Sequence, residues 1–360
     1  MLPDEQTEKS VKNKKRPLAA IFGCSSVALN AEEKSFFRDA DPLGFIIFSR
    51  NVENPTQLQK LVSDLRETVG RESVPVLIDQ EGGRVARLGQ PNWPTFPPAE
   101  TYAKIFAHNN ENGVTAAHLG GRLIGHELFQ LGITVDCAPV LDIPQPSADP
   151  IIGDRAFGND VETIITLARA FAEGLMHSGV APVIKHIPGH GRALVDSHEH
   201  LPRVDATMDE LEKDFSTFKA LNYMPWAMTA HVVYTAIDDK NPATLSSDVI
   251  ANIIRKQIGF RGFLVSDDLS MKALEGEMQS RAQLALGAGC DAVLHCNGDM
   301  EEMVKVASGA KQITSSSWAR FKLGNLQRHI AGEEEKEDDE FDLSEAKNNF
   351  DALINSAGKT

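Results

Sequence analysis

The sequence predicts a (β/α)8 barrel of the TIM type, a single α/β unit followed by an acidic segment and a terminal helix. Three observations point there. Eight short runs rich in β-branched residues recur along the chain, each closing on a polar residue or a glycine. Helix-period segments lie between most of them, and strand-helix alternation repeated eight times is the pattern of a closed barrel. No GxGxxG follows the first run, which sets aside a doubly wound dinucleotide-binding sheet.

In chain order the runs are LAAIFG from Leu18, GFIIFS from Gly44, VPVLID from Val74, ITVDCAPV from Ile133, VAPVIKH from Val180, WAMTAH from Trp226, GFLVSDD from Gly262 and DAVLHC from Asp291. The intervening segments NPTQLQKLVSDLRETVG, DVETIITLARAFAEGLMHSG and SSDVIANIIRKQIGF carry apolar residues at helical spacing. Each starts near an Asn, Asp or Ser able to cap free N–H groups. Residues 1–16 read as a polar N-terminal segment and 17–330 as the barrel. Residues 331–360 read as an acidic patch and a weakly helical end, to which no function is assigned.

Bulk properties narrow the partners. At 360 residues and 42% hydrophobic, the chain can bury a full core. A formal charge of −15 offers no basic surface for phosphates, so neither nucleic acid nor an anionic membrane is an expected partner. Cys24, Cys137, Cys290 and Cys296 show no CxxC spacing, and three lie in apolar runs, so no disulfide framework is expected. The N-terminus has no apolar core of a signal peptide, and no segment approaches the ~18 uninterrupted apolar residues of a membrane span. A cytoplasmic, monomeric protein is the expectation.

In a barrel, chemistry gathers where strands end. The residues there are Arg50, Asn51, Asp79, Lys185, His186, His231, Asp267, Asp268 and Asn297. Core packing alone does not place polar groups so regularly. Asp267 closes a buried run, where a desolvated charge needs a partner or a function, and a strand-end carboxylate is a natural nucleophile. Asp268, its neighbour, is expected to point elsewhere. Asp79, Arg87 and Arg155 supply a carboxylate and two guanidiniums suited to hydroxyl and carbonyl groups of a polar ligand, although singly each is more often a surface ion pair.

The stretch KHIPGHGRALVDSHEH, Lys185 to His200, holds four histidines. His186 and His190 have the HxxxH spacing of a zinc site, but Pro188, Gly189 and Gly191 forbid the helix that would give it meaning. The other arrangement is Asp196 with His198. A carboxylate beside an imidazole fixes its tautomer and stabilises its protonated form, which suits acid/base work. Taken alone such a pair is more often a solvated loop; alongside Asp267 it becomes a candidate device. His190 is expected to hydrogen-bond the loop backbone, His200 to lie on the surface, and His231 either to line a pocket or to be structural.

KHIPGHG followed by DSH and LP, with DQEGGRVARL, IIGDRAFG, MTAHVVY and GFLVSDDLSM, closely resembles glycoside hydrolase family 3 in its NagZ-type bacterial β-N-acetylglucosaminidases, from about Leu18 to about Asn297. The resemblance implies a retaining β-N-acetylglucosaminidase acting on a GlcNAc-containing muropeptide, without metal or cofactor. It implies Asp267 as nucleophile, and His198 paired with Asp196 as acid/base on a mobile loop. It implies Asp79, Arg87, Arg155, Lys185 and His186 as sugar-binding residues. Two other classes stay open: a metal-dependent hydrolase built on His186, His190 and His198, and a sugar-binding protein without catalysis. The acidic segment near Glu333 has no counterpart in the family pattern, and the sugar beyond GlcNAc is not legible.

Overall fold

A computed structural model describes residues 16–338 and 342–357. All but Arg16 of the polar N-terminal segment, and residues 339–341 of the acidic stretch, lie outside the described residues. The strands are β1 (Leu18–Gly23), β2 (Pro42–Ile47), β3 (Val76–Ile78), β4 (Val135–Asp136), β5 (Ala181–Ile187), β6 (Arg203–Val204), β7 (Trp226–Thr229), β8 (Val233–Tyr234), β9 (Phe263–Asp268) and β10 (Ala292–His295). Eight of them pair in parallel and close into a barrel in the order β1-β10-β9-β7-β5-β4-β3-β2. Each expected run overlaps one barrel strand, with β2 starting two residues before its run and β5 ending one residue after its own. The remaining pair, β6 with β8, forms a small parallel sheet too short to announce itself by periodicity.

Around the barrel run α1 (Ala31–Ala40), α2 (Pro55–Val69), α3 (Ala99–His108), α4 (Asn110–Gln130), α5 (Val161–His177), α6 (Met208–Ala220), α7 (Met278–Ala288), α8 (Met300–Gly309), α9 (Ser315–Asp338) and α10 (Leu343–Ala357). The expected caps are in place. Asn54 Oδ1 accepts from Gln57 N–H at 3.0 Å, Asp160 Oδ1 from Thr163 N–H at 2.9 Å, and Ser246 Oγ from Val249 N–H at 3.2 Å. The last of these starts Val249–Gln257, which winds wide as a π-helix. α9 runs unbroken through residue 330, so the expected edge of the barrel falls inside a continuous helix.

Strand residues alternate between two apolar layers. Ala19, Ile21, Leu77, Ala181, Val183, Phe263, Val265, Ala292 and Leu294 fill the barrel interior. Ala20, Phe22, Val76, Ile78, Ile184, Leu264 and Val293 pack outward against the helices. At the end where strands begin, Phe321 of α9 plugs the interior, its ring 6.0 Å from Trp226 and 5.9 Å from Phe263. The opposite end is left for chemistry. α10 packs Phe350 against Phe96 and Tyr102, tying the terminal helix to α3. All four cysteines are buried free thiols, and no helix among the described residues is long and apolar enough to cross a membrane.

Candidate active site

The alternation that fills the barrel also delivers its charges. Asp79 follows Leu77 by two residues, Lys185 follows Val183, and Asp267 follows Val265, so all three continue the inward-facing rows at the carboxyl ends of their strands. They line a cavity of about 310 Å³ together with Glu81, Arg87, Arg155, His186 and His198. Roomier hollows lie elsewhere, one of about 710 Å³ beside Arg66 and Arg71 and one of about 520 Å³ beside Asp291. In those, Arg66 and Arg71 already donate to backbone carbonyls and Asp291 is taken by Arg255 and Arg320. Buried charges converge only in the smaller cavity among these three.

The segment DQEGGRVARL folds on itself. Gly82, at φ +93°, leaves no room for a Cβ, which would stand 2.4 Å from the Pro97 carbonyl oxygen. Gln80 Oε1 accepts from Arg87 N–H at 2.8 Å and Leu88 N–H at 3.0 Å, and its amide donates back to the Leu88 carbonyl. The clamp presents Asp79, Glu81 and Arg87 together. Arg87 Nη2 donates to Asp79 Oδ2 at 3.1 Å, and its guanidinium lies 5.0 Å over the Phe48 ring.

Glu81, which carries no signal of its own inside DQEGG, is the hub of the cavity's charged residues. Its Oε2 accepts from Arg155 Nε at 2.8 Å, and its Oε1 from Arg155 Nη2 and Lys185 Nζ, both at 2.7 Å. Lys185 Nζ also donates to Asp79 Oδ1 at 3.0 Å. Burial alone pushes both carboxyls up; Arg155 and Lys185 outweigh it at Glu81, and Lys185 and Arg87 at Asp79, holding both below the usual carboxylate range. Arg155 and Lys185, expected as sugar-binding residues, bind protein carboxylates here and keep spare N–H groups for a ligand.

A second hub, Asp142, was also unread. It accepts from the N–H of His190 at 2.6 Å and faces His186 Nδ1 at 2.7 Å, orienting the imidazole of His186 in the cavity wall. Asp136 lies beneath the site, where burial pushes its carboxyl up to about 7 while Gln80 N–H donates to one oxygen. Neither position carries a motif signal. Each is a run-interior or loop aspartate whose partners arrive from distant strands.

Asp267 sits partly exposed in the cavity. Burial raises its carboxyl, but His231, His186 and the N–H of Asp268, which donates to Oδ1 at 2.8 Å, outweigh this and hold it below the ordinary range. It is an anion at neutral pH. Asp268 is taken up by its own turn and by the neighbouring strand end, accepting from Ser270 N–H and from Cys296 N–H, although it also borders the cavity. Asp196 Oδ1 accepts from the His198 backbone N–H at 2.8 Å and faces His198 Nδ1 at 2.7 Å. With Nδ1–H given to the carboxylate, Nε2 is free to exchange a proton. The ring is 59% exposed at the cavity mouth, so it meets incoming ligand and water.

His190 departs from expectation. Its Nε2 meets the Ser197 hydroxyl at 3.0 Å rather than loop backbone, and it does not border the cavity. His231 is fully buried, between Thr244 Oγ1 at 2.7 Å and the Asp268 carbonyl at 3.0 Å, a structural placement. His200 is exposed. Among the described residues, no group of three or more His, Cys, Asp or Glu is placed to hold a metal ion.

A barrel that sets an anionic carboxylate at a strand end and an imidazole at the mouth of the same cavity brings together the group types that acid/base-assisted nucleophilic catalysis uses, the chemistry of a hydrolase. Comparison with known proteins identifies the family: the pattern of the glycosyl hydrolase family 3 N-terminal domain matches residues 11–331. A β-hexosaminidase of Photobacterium profundum is 38% identical over 290 residues, 79% of this chain and 83% of that one. Native NagZ from Neisseria gonorrhoeae superposes with a TM-score of 0.82 at 29% identity, over 94% of this chain and 98% of that one. The same Neisseria protein in complex with N-trifluoroacetyl-D-glucosamine superposes with a TM-score of 0.82 at 28% identity, over 95% and 99%. The chain belongs to glycosyl hydrolase family 3. Within it, this is a β-N-acetylhexosaminidase of the NagZ type.

Proposed function

We propose that the enzyme is a retaining exo-β-N-acetylglucosaminidase that removes terminal non-reducing GlcNAc through a covalent glycosyl-enzyme on Asp267. The observation that carries this is one cavity lined by both the strand-end carboxylate and the His198 ring on its Asp196 partner. In the first step Asp267 attacks the anomeric carbon while His198 gives its proton to the departing oxygen. In the second, His198 takes a proton from water as the water attacks the same carbon and releases Asp267. Most retaining glycosidases use two carboxylates about 5 Å apart for these roles; here an imidazole takes one of them.

Asp79, Arg87, Arg155, Lys185 and His186 hold the sugar through the carboxylate oxygens and spare N–H groups described above. The bound glucosamine derivative of the Neisseria relative supports a small carbohydrate as ligand. The natural substrate is proposed to be a muropeptide in cell-wall recycling, met in the cytoplasm by a monomer. Trapping with a mechanism-based fluorosugar followed by peptide mapping tests the reading. Label on Asp267 is the expected result; label on Asp268 moves the role by one residue, and turnover with inversion at the anomeric carbon overturns it.

A further inference from the structure

We propose that the hydrogen bond between His190 and Ser197 holds the acid/base loop in place, making both of them positioning residues for His198. This rests on the reading of Asp196 and His198 as the acid/base pair. Ser197 stands between those two residues, yet it is only 3% exposed while the His198 side chain is 59% exposed. The loop therefore turns its hydroxyl inward as it turns its imidazole outward.

What lies under that hydroxyl is rigid. His190 is itself 3% exposed, and its backbone N–H is anchored on Asp142, the carboxylate that also orients His186 in the cavity wall. Next to it, a Cβ on Gly191 would stand 2.0 Å from the Ile143 carbonyl oxygen, so the turn presses directly on the buried connection that follows β4. Among the described residues, segment 194–200 reaches the rest of the molecule through two side-chain hydrogen bonds. One is Ser197 Oγ with His190 Nε2 at 3.0 Å; the other is Glu199 with Lys272 at 2.6 Å, whose side chains are 58% and 68% exposed. An exposed ion pair of two flexible, solvent-screened chains contributes little to holding a loop. The buried bond is the tie that can set the loop's position.

The donor can be assigned. His190 Nδ1 is buried with no partner among the described residues, and burial, with His186 beside it, pushes the imidazole down to about 4, so the ring is neutral at neutral pH. An N–H left without an acceptor costs more than an unfilled lone pair, which places the single proton on Nε2. His190 Nε2–H therefore donates to Ser197 Oγ. The tie lies off the cavity, so its loss acts on sugar contacts only through the position of His198.

The test uses the full-length enzyme and kcat/KM, which reports the glycosylation step, on methyl and dinitrophenyl β-GlcNAc. The methyl glycoside needs its leaving oxygen protonated and the dinitrophenyl glycoside does not. Ser197→Ala is expected to lower kcat/KM on the methyl glycoside about tenfold more than on the aryl one, with His198→Ala shifting the ratio further in the same direction. His190→Phe, which keeps ring volume but no hydrogen bond, is expected to match Ser197→Ala, and the double variant to add nothing to either. Should His190→Phe fail to fold, the Ser197→Ala ratio decides alone. If His198→Ala shifts the ratio and Ser197→Ala does not, or if both substrates fall equally in Ser197→Ala, the positioning role is overturned and the acid/base reading stands. If His198→Ala leaves the ratio unmoved, the acid/base reading falls and takes this proposal with it.

Discussion

Replacing Glu81 by Gln is the sharpest probe of how the charged residues of the cavity are held. The change keeps shape and removes one charge from a cluster of Arg87, Arg155, Lys185, Asp79 and Glu81. It leaves three cations facing a single carboxylate, and turns an amide N–H or an uncharged oxygen toward donors now 2.7 to 2.8 Å away. Removing one partner of a buried ion pair costs roughly 3 to 5 kcal/mol, because the other charge stays buried without compensation. With a urea dependence of about 3 kcal/mol per molar, the unfolding midpoint falls by roughly 1 M or more. Asp154→Asn breaks the exposed Arg84 pair, whose side chains are 43% and 36% exposed, and should move the midpoint by less than about a third of that.

Acidity adds a second signature to the same variant. Glu81 in the folded protein is held well below its ordinary value of 4.5 by Arg155 and Lys185, against the upward push of burial, so as pH falls the unfolded chain takes up this proton first. Its contribution is complete above about pH 4.5 and is lost below it. The gap in urea midpoint between wild type and Glu81→Gln should therefore be flat above about pH 5 and should narrow on acidification. A midpoint shift under roughly 0.3 M at pH 7, or a gap that widens in acid, would refute the assignment of Glu81 as the electrostatic hub.

Asp267→Asn should lower kcat by roughly three orders of magnitude or more while GlcNAc still binds in calorimetry, because the ground-state contacts remain; near-normal turnover sinks the nucleophile. His190, neutral in the fold and down at about 4 through burial, His186 and Arg155, against the pull of Asp142 and Asp267, binds its proton more weakly than its unfolded counterpart at 6.5. Stability should therefore drop by roughly 3 kcal/mol as pH falls from about 6.5 to about 4, and His190→Phe should lose that slope in urea titrations at stepped pH. Treatment with EDTA should leave activity on aryl β-GlcNAc unchanged, and a loss that added zinc restores would reopen a metal-dependent mechanism.

Much of this enzyme is settled by local pattern. Each barrel strand lies in a short, mostly apolar run because a strand buried on both faces needs little else, and the caps at Asn54, Asp160 and Ser246 are decided within three residues. Asp79, Lys185 and Asp267 are legible too, since a period of two carries the inward rows of Leu77, Val183 and Val265 to the barrel mouth. The Asp196 and His198 pair closes within one tripeptide. Glu81, Asp142 and Ser197 are different. Their partners stand 74, 44 and 7 residues away, and nothing in their own neighbourhoods distinguishes them from a surface acid or a loop serine. Which donor reaches a carboxylate depends on how strands register around the closed barrel and on where each loop folds back over its mouth. Those are properties of long-range approach, and only the tertiary structure decides them.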